Sequence, residues 1–181
     1  MLDLFYYTRY FIASIKGRKR LVTSKFRSIY NIDVNDLKDK GIKLMVFDVD
    51  DTIGEHRGLI PQKSLDLLNE IKSNGINVVI FSNCGSKRRN ELEKVFLPLQ
   101  IKVVAASNKP NPKGYLAACR LSNTNPEHSA MIGEKIGTDL YGAYLAGYKE
   151  RIMVQPYTKI FGGKKSMLIV RWLRELENLT F

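Results

Sequence analysis

Apolar and polar positions fall in blocks along this chain, and the blocks predict its elements. Residues 44–47 (Leu44, Met45, Val46 and Phe47) are apolar at every position. That is the pattern of a strand buried on both faces of a parallel sheet. Runs at 76–81 (INVVIF), 101–106, 129–132 and 151–155 predict four more strands. Between them, Leu65, Leu68 and Ile71 recur at helical spacing over 64–73, ended by Asn74 and Gly75. Leu92, Val95 and Phe96 predict a helix over 86–96, and two further helices are expected over 115–121 and 139–147. Ahead of the first strand, Asp33, with Asn31 as the alternative, caps a short helix to about residue 40, which Gly41 ends. Met167, Leu168, Val170, Trp172, Leu173 and Leu176 predict a last helix over 164–179 that docks on the domain. Strands alternating with helices through short connections predict an α/β fold with a single doubly wound, mostly parallel sheet.

Three parts are expected: an N-terminal segment over 1–40, a core over 41–158, and a C-terminal helix over 159–181 that packs on it. The N-terminal segment is rich in aromatics (Phe5, Tyr6, Tyr7, Tyr10 and Phe11), followed at once by Lys16, Arg18, Lys19 and Arg20. Aromatics beside a basic cluster suit a helix at a membrane surface, where each Lys or Arg near anionic lipid contributes about 1 kcal/mol. They equally suit a helix that packs on the domain or on a second subunit.

Composition narrows the picture. The 181 residues are 44% hydrophobic, enough for one domain with a proper core. The 29 Lys and Arg outnumber 18 Asp and Glu, giving a net charge of +11 that favours polyanions. Cys84 and Cys119 are too few and too unpatterned for a disulfide framework or a zinc site. No run reaches transmembrane length, and the first residues contain Asp3 and no small-residue cleavage site. A cytoplasmic protein is expected, with membrane association through residues 1–20 as an added feature. His56 and His128 have no partner at ligand spacing and receive no role.

The candidate chemistry lies where the strands end. Residues 44–47 run into Asp48, Asp50 and Asp51, carboxylates that repel one another at the end of a buried strand. A divalent cation is the agent expected to offset that repulsion. The second strand ends in Ser82 and Asn83, the third leads to Lys109 with Lys113 close behind, and the fourth leads to Glu134 and Asp139. In a parallel sheet all of these converge on one edge, where α/β folds place their ligands. Carboxylates, a hydroxyl and a fixed cation together suit phosphoryl transfer, which depends on positioning and charge neutralisation.

At these positions the sequence resembles the haloacid dehalogenase-like superfamily of phosphatases. DVDDT at 48–52 matches its first motif, Ser82 after VVIF the second, NKP at 108–110 the third, and GEKIGTD at 133–139 the fourth. The resemblance covers roughly residues 42–155 and is greatest to the YqeG-type branch of subclass III, which includes phosphatidylglycerophosphate phosphatases. It implies that Asp48 is the nucleophile and that Asp50 is the general acid and base. It further implies that Lys109 offsets charge, that Ser82 and Asn83 bind the phosphoryl group, and that Thr52 braces the loop. The metal implied is Mg²⁺, held by Asp48, the Asp50 carbonyl and Asp139. Glu134 stands where this motif usually has Asp, so it reaches the metal through water or points elsewhere. Lys113 is the alternative cation to Lys109.

The spacing bears on substrate. Between Thr52 and Ser82, and again between Ser82 and Lys109, there is room for one helix and one strand but not for a cap domain. The site is therefore expected to be open unless the N-terminal segment or a partner subunit, in an oligomer, covers it. An open site suits a phosphate carried on something large. A lipid-linked phosphate is favoured, with phosphatidylglycerophosphate the candidate that the resemblance names. A nucleic-acid or protein phosphate comes next, since no nucleic-acid recognition motif is present. A non-catalytic member that binds phosphate or a partner is the alternative motivated by Glu134.

Overall fold

The computed structural model describes residues 20–105 and 108–163. Six strands form one sheet: β1 (Ser24–Phe26), β2 (Leu44–Phe47), β3 (Asn77–Ser82), β4 (Lys102–Ala105), β5 (Ser129–Gly133) and β6 (Glu150–Val154). Their order is β1-β6-β5-β2-β3-β4, and every pairing is parallel. The helices are α1 (Val34–Asp39), α2 (Gln62–Ser73), α3 (Ser86–Phe96), α4 (Pro112–Leu121), α5 (Tyr141–Leu145) and α6 (Tyr157–Phe161). No inserted domain stands between β2 and β3 or between β3 and β4, as the spacing predicted.

The centre of the sheet follows from the apolar blocks. All four residues of β2 are 0% exposed, because helices cover both faces. Met45 and Phe47 join one core layer with Val78, Ile80, Leu68, Leu92 and Phe96. Leu44 and Val46 join the other with Val79, Phe81, Tyr115, Met131 and Leu140. The period of two thus sends alternate residues of β2 into opposite layers. From β2 the chain moves outward to β3 and β4, then returns to the other side of β2 for β5 and β6. Such a reversal opens a crevice at the carboxyl end of the middle strand. Asp33 caps α1 by accepting from the N–H groups of Asn35 and Asp36, as expected; Asn31 is not the cap.

Two differences from the sequence expectation stand out. Ser24–Phe26, assigned from sequence to a helical N-terminal segment, is an edge strand paired with Ile152–Val154. The division at residue 40 therefore falls inside the sheet unit. The helix expected over 139–147 is present as α5 but begins earlier than expected, in a π-helical turn, Ile136–Leu140, that leads into it. Residues 1–19 and the helix expected over 164–179 lie outside the described residues. Among the described residues, no helix is long and apolar enough to cross a membrane.

Candidate active site

The crevice holds the charged groups. Asp48 follows β2 directly, and its N–H still donates to the Ile132 carbonyl at 2.9 Å, so its backbone continues the ladder. Its carboxylate is buried. Oδ1 accepts from Lys109 Nζ at 2.5 Å, and Oδ2 accepts from Thr52 Oγ1 at 3.1 Å. The same Lys109 Nζ donates to Asp139 Oδ1 at 2.7 Å. One ammonium thus bridges the carboxylates that follow β2 and β5. Burial alone would lower the Lys109 ammonium, but Asp139 and Asp48 outweigh it, and the net shift is upward. Burial pushes the Asp139 carboxyl up; the charge of Lys109 opposes this and that of Asp48 adds to it.

Lys109, not Lys113, occupies the site. Lys113 is exposed in the first turn of α4, where its N–H caps on Asn111 Oδ1 at 3.0 Å. Ser82 ends β3 buried beside this crevice. The Asn83 side chain is occupied otherwise than sequence suggested. Its Oδ1 accepts from the Lys109 N–H at 2.9 Å, and its Nδ2 donates to the Lys109 carbonyl at 3.3 Å.

Asp50 is half-buried, and its Oδ1 accepts from the Arg57 N–H at 2.8 Å. Directly after Asp48 the chain makes a turn, with Thr52 and Ile53 donating to the Val49 carbonyl. Asp51 must adopt φ 64°, a left-handed conformation uncommon outside glycine and costly for most side chains. Its carboxylate is fully buried, and it accepts from Thr158 Oγ1 at 2.6 Å and from the Thr158 N–H at 3.3 Å. The Asp51 carbonyl also accepts from the Tyr157 N–H at 2.7 Å. Helix α6 therefore braces the loop, a contact that nothing in the local sequence announces.

Asp139 reaches the crevice from the π-helical turn. Gly133, the last residue of β5, makes room for it: a Cβ there would lie 2.5 Å from Asp139 Oδ2. That oxygen accepts from the Lys135 N–H at 3.1 Å. Glu134 is buried at the end of β5, with Oε1 3.1 Å from Lys135 Nζ.

A family model described as haloacid dehalogenase-like hydrolase matches residues 7–147. The chain belongs to this family. It is 28% identical over 152 residues to the probable phosphatase YqeG of Bacillus subtilis, covering 83% of each chain, and it falls in the YqeG-type branch. A 61-residue stretch is 34% identical to glyceraldehyde 3-phosphate phosphatase of Pyrococcus furiosus, covering 34% of this chain and 25% of that one. The fold is shared with the cobalt-bound deoxy-D-mannose-octulosonate 8-phosphate phosphatase of Haemophilus influenzae. There the TM-score is 0.51 and the identity 13%, over 78% of this chain and 90% of that one. In this hydrolase the strand ends bring Asp48, Lys109 and Asp139 together in one crevice.

Mg²⁺ is the metal that the resemblance implies for this crevice. Among the described residues, no three acidic, His or Cys side chains gather round one point. Of the carboxylates expected as ligands, Asp48 and Asp139 share a partner, whereas Glu134 lies against Lys135; Asp50, expected to offer its backbone carbonyl, has its carboxylate on the Arg57 N–H. Mg²⁺ commonly binds through one or two carboxylates, with waters and substrate phosphate completing its shell. Asp48 and Asp139 fit that requirement in donor type, charge and proximity.

His56, given no role from sequence, lies within electrostatic reach of Asp50 and Asp51, with its imidazole pushed down by burial. His128 Nδ1 lies 2.9 Å from the Gly41 carbonyl, a packing contact.

Proposed function

We propose that this hydrolase is a Mg²⁺-dependent phosphatase that cleaves a lipid-linked phosphomonoester through an aspartyl-phosphate on Asp48. The observation that carries the reading is the buried Asp48 carboxylate, held between Lys109 and Thr52 with Asp50 two residues on. A carboxylate oxygen of Asp48 attacks phosphorus, and the bond to the leaving oxygen breaks. Asp50, in its protonated form, gives that oxygen its proton. The Asp50 carboxylate then takes a proton from water, which attacks the same phosphorus and releases phosphate with Asp48 restored. The Arg57 N–H on Oδ1 holds the Asp50 carboxyl in orientation through both steps. Lys109 keeps its charge throughout and offsets the anion on Asp48 and on the transferring group. Asp48 and Asp139 would hold Mg²⁺, which supplies further neutralisation of phosphoryl charge.

The capless architecture supports a large carrier. An open crevice excludes water poorly around a small substrate but admits a phosphate presented from a surface. The net charge of +11 favours an anionic surface. The YqeG-type branch includes phosphatidylglycerophosphate phosphatases, which makes that lipid the first substrate to try.

The test measures phosphate release with Mg²⁺ from phosphatidylglycerophosphate in mixed micelles beside a soluble aryl phosphate. Release from the lipid is expected to be the faster, and Asp48→Asn to abolish both. Turnover of the aryl phosphate alone would redirect the substrate to nucleic-acid or protein phosphates. Release that survives Asp48→Asn would overturn the covalent mechanism.

A further inference from the structure

The Asn83 side chain ties down the residue that delivers the bridging cation. Its amide carries both an acceptor and donors. Both are used on one residue: Oδ1 on the Lys109 N–H at 2.9 Å and Nδ2 on the Lys109 carbonyl at 3.3 Å. This contact spans 26 residues and links the end of β3 to the loop beyond β4.

That loop needs such a tie. It follows an edge strand whose residues are exposed or half-buried. Asn108, just before Lys109, has φ 50°, and Pro110, just after it, has no N–H to donate. Lys109 itself is a flexible four-carbon arm whose Nζ must meet Asp48 at 2.5 Å and Asp139 at 2.7 Å together. The ammonium end is further confined, with Nζ 3.4 Å from the Phe81 carbonyl and 5.3 Å from the Phe81 ring centroid. With the Phe81 carbonyl beside Nζ and Asn83 on its backbone, β3 and the turn after it hold Lys109 at both ends.

We infer that Asn83 is a positioning residue. It does not bind the phosphoryl group through its side chain; it fixes the Lys109 backbone so that one ammonium bridges Asp48 and Asp139. The catalytic consequence rests on the phosphatase reading above, whereas the tie itself does not. Misplacing a catalytic group by about 1 Å can cost about 10²-fold in rate, and this sets the scale of the effect.

The test is a double-mutant cycle on aryl phosphate with Mg²⁺, using Asn83→Ala, Lys109→Ala and the pair. Asn83→Ala is expected to lower kcat by about 10- to 100-fold. KM and inhibition by inorganic phosphate should stay within about twofold. In the Lys109→Ala background, Asn83→Ala should cost nothing further, because the residues act as one unit. Asn83→Asp keeps the acceptor for the Lys109 N–H and should recover part of kcat. An Asn83→Ala effect that persists without Lys109, or one that weakens phosphate inhibition tenfold, would show direct phosphate binding and overturn the inference. Hydrogen exchange at the Lys109 amide reads the tie even if wild type turns over no probe. Protection should fall in Asn83→Ala and persist in Asn83→Asp; unchanged protection in Asn83→Ala would sink the inference whatever the fate of the phosphatase reading.

Discussion

The two flanks of Asp48 do the same job by different means. On the β4 side, the cation comes from a loop beyond an edge strand and is held by directional bonds from Asn83. On the β5 side, Asp139 comes from a π-helical turn packed on an interior strand; the Lys135 N–H donates to it, and a steric seat is added, because Gly133 has no side chain and Asp139 fills that space. The difference follows from burial. All five residues of β5 are buried, so a turn can be packed onto its end. The strand β4 offers little to pack against, so its loop is secured by hydrogen bonds. A polar tie fails by degrees as bonds are removed, whereas a packed contact fails at once when one atom is added.

Removing the group shared by both flanks should have the largest effect. Lys109→Ala leaves Asp48 and Asp139 buried without their cation. Loss of one partner from a buried pair costs about 3–5 kcal/mol, to be read by denaturant unfolding at neutral pH in chelator. Burial raises the folded-state value of the Asp139 carboxyl, which therefore binds protons more readily in the folded form. Stability is then present at low pH and lost as pH rises through that raised value, so the deficit should shrink on acidification. A deficit that grows at low pH would mean that the Lys109 bridge does not neutralise these acids.

Breaking only the packed flank comes next. Gly133→Ala places a Cβ 2.5 Å from Asp139 Oδ2, so the carboxylate must move. Overpacking of this kind typically costs about 1–3 kcal/mol. If Asp139 serves the reaction, turnover should fall about 10²-fold, since a displaced group loses its alignment. Wild-type turnover in Gly133→Ala would refute a tight steric seat for Asp139.

The smallest effect should come from the brace on the loop itself. Thr158→Val removes the hydroxyl bonded to Asp51 and keeps the shape. A buried acceptor stripped of one partner costs about 1–3 kcal/mol. Thr158→Ser should restore most of it. Asp51→Gly, which relieves the positive φ and removes the carboxylate, should make Thr158→Val nearly silent. If the two losses instead add, the contact does not couple α6 to the loop.

The central sheet and the charged ends of its strands were legible in the sequence because their signals are local. The apolar run of β2, the DVDDT turn, Ser82, Lys109 and Asp139 each lie at or just beyond a strand end that periodicity could find. What escaped depends on distant partners. Ser24–Phe26 reads SKF, too short and too mixed to announce a strand, and it is one only because β6 lies beside it. The resemblance assigned Asn83 to the phosphoryl group, whereas its side-chain amide bonds Lys109, 26 residues on. Thr158 carries no motif, and its bond to Asp51 spans 107 residues. Gly133 was seen only as part of a motif, whereas its purpose is the space it leaves for Asp139.

The wide span of these contacts bears on how the molecule acquires its activity. Strand β1 and the Thr23–Arg151 contacts join positions 128 residues apart, and the loop after Asp50 is braced at Asp51 only once residue 158 is in place. Such long closures are entropically late events in folding, and a growing polypeptide emerges from its N-terminal end. Asp48 is thus made early in synthesis, but its surroundings are finished only after β6 and α6 have joined the sheet. Hydrolytic competence should therefore emerge in one late step, which spares a half-made chain from acting on phosphate esters before its fold can select among them.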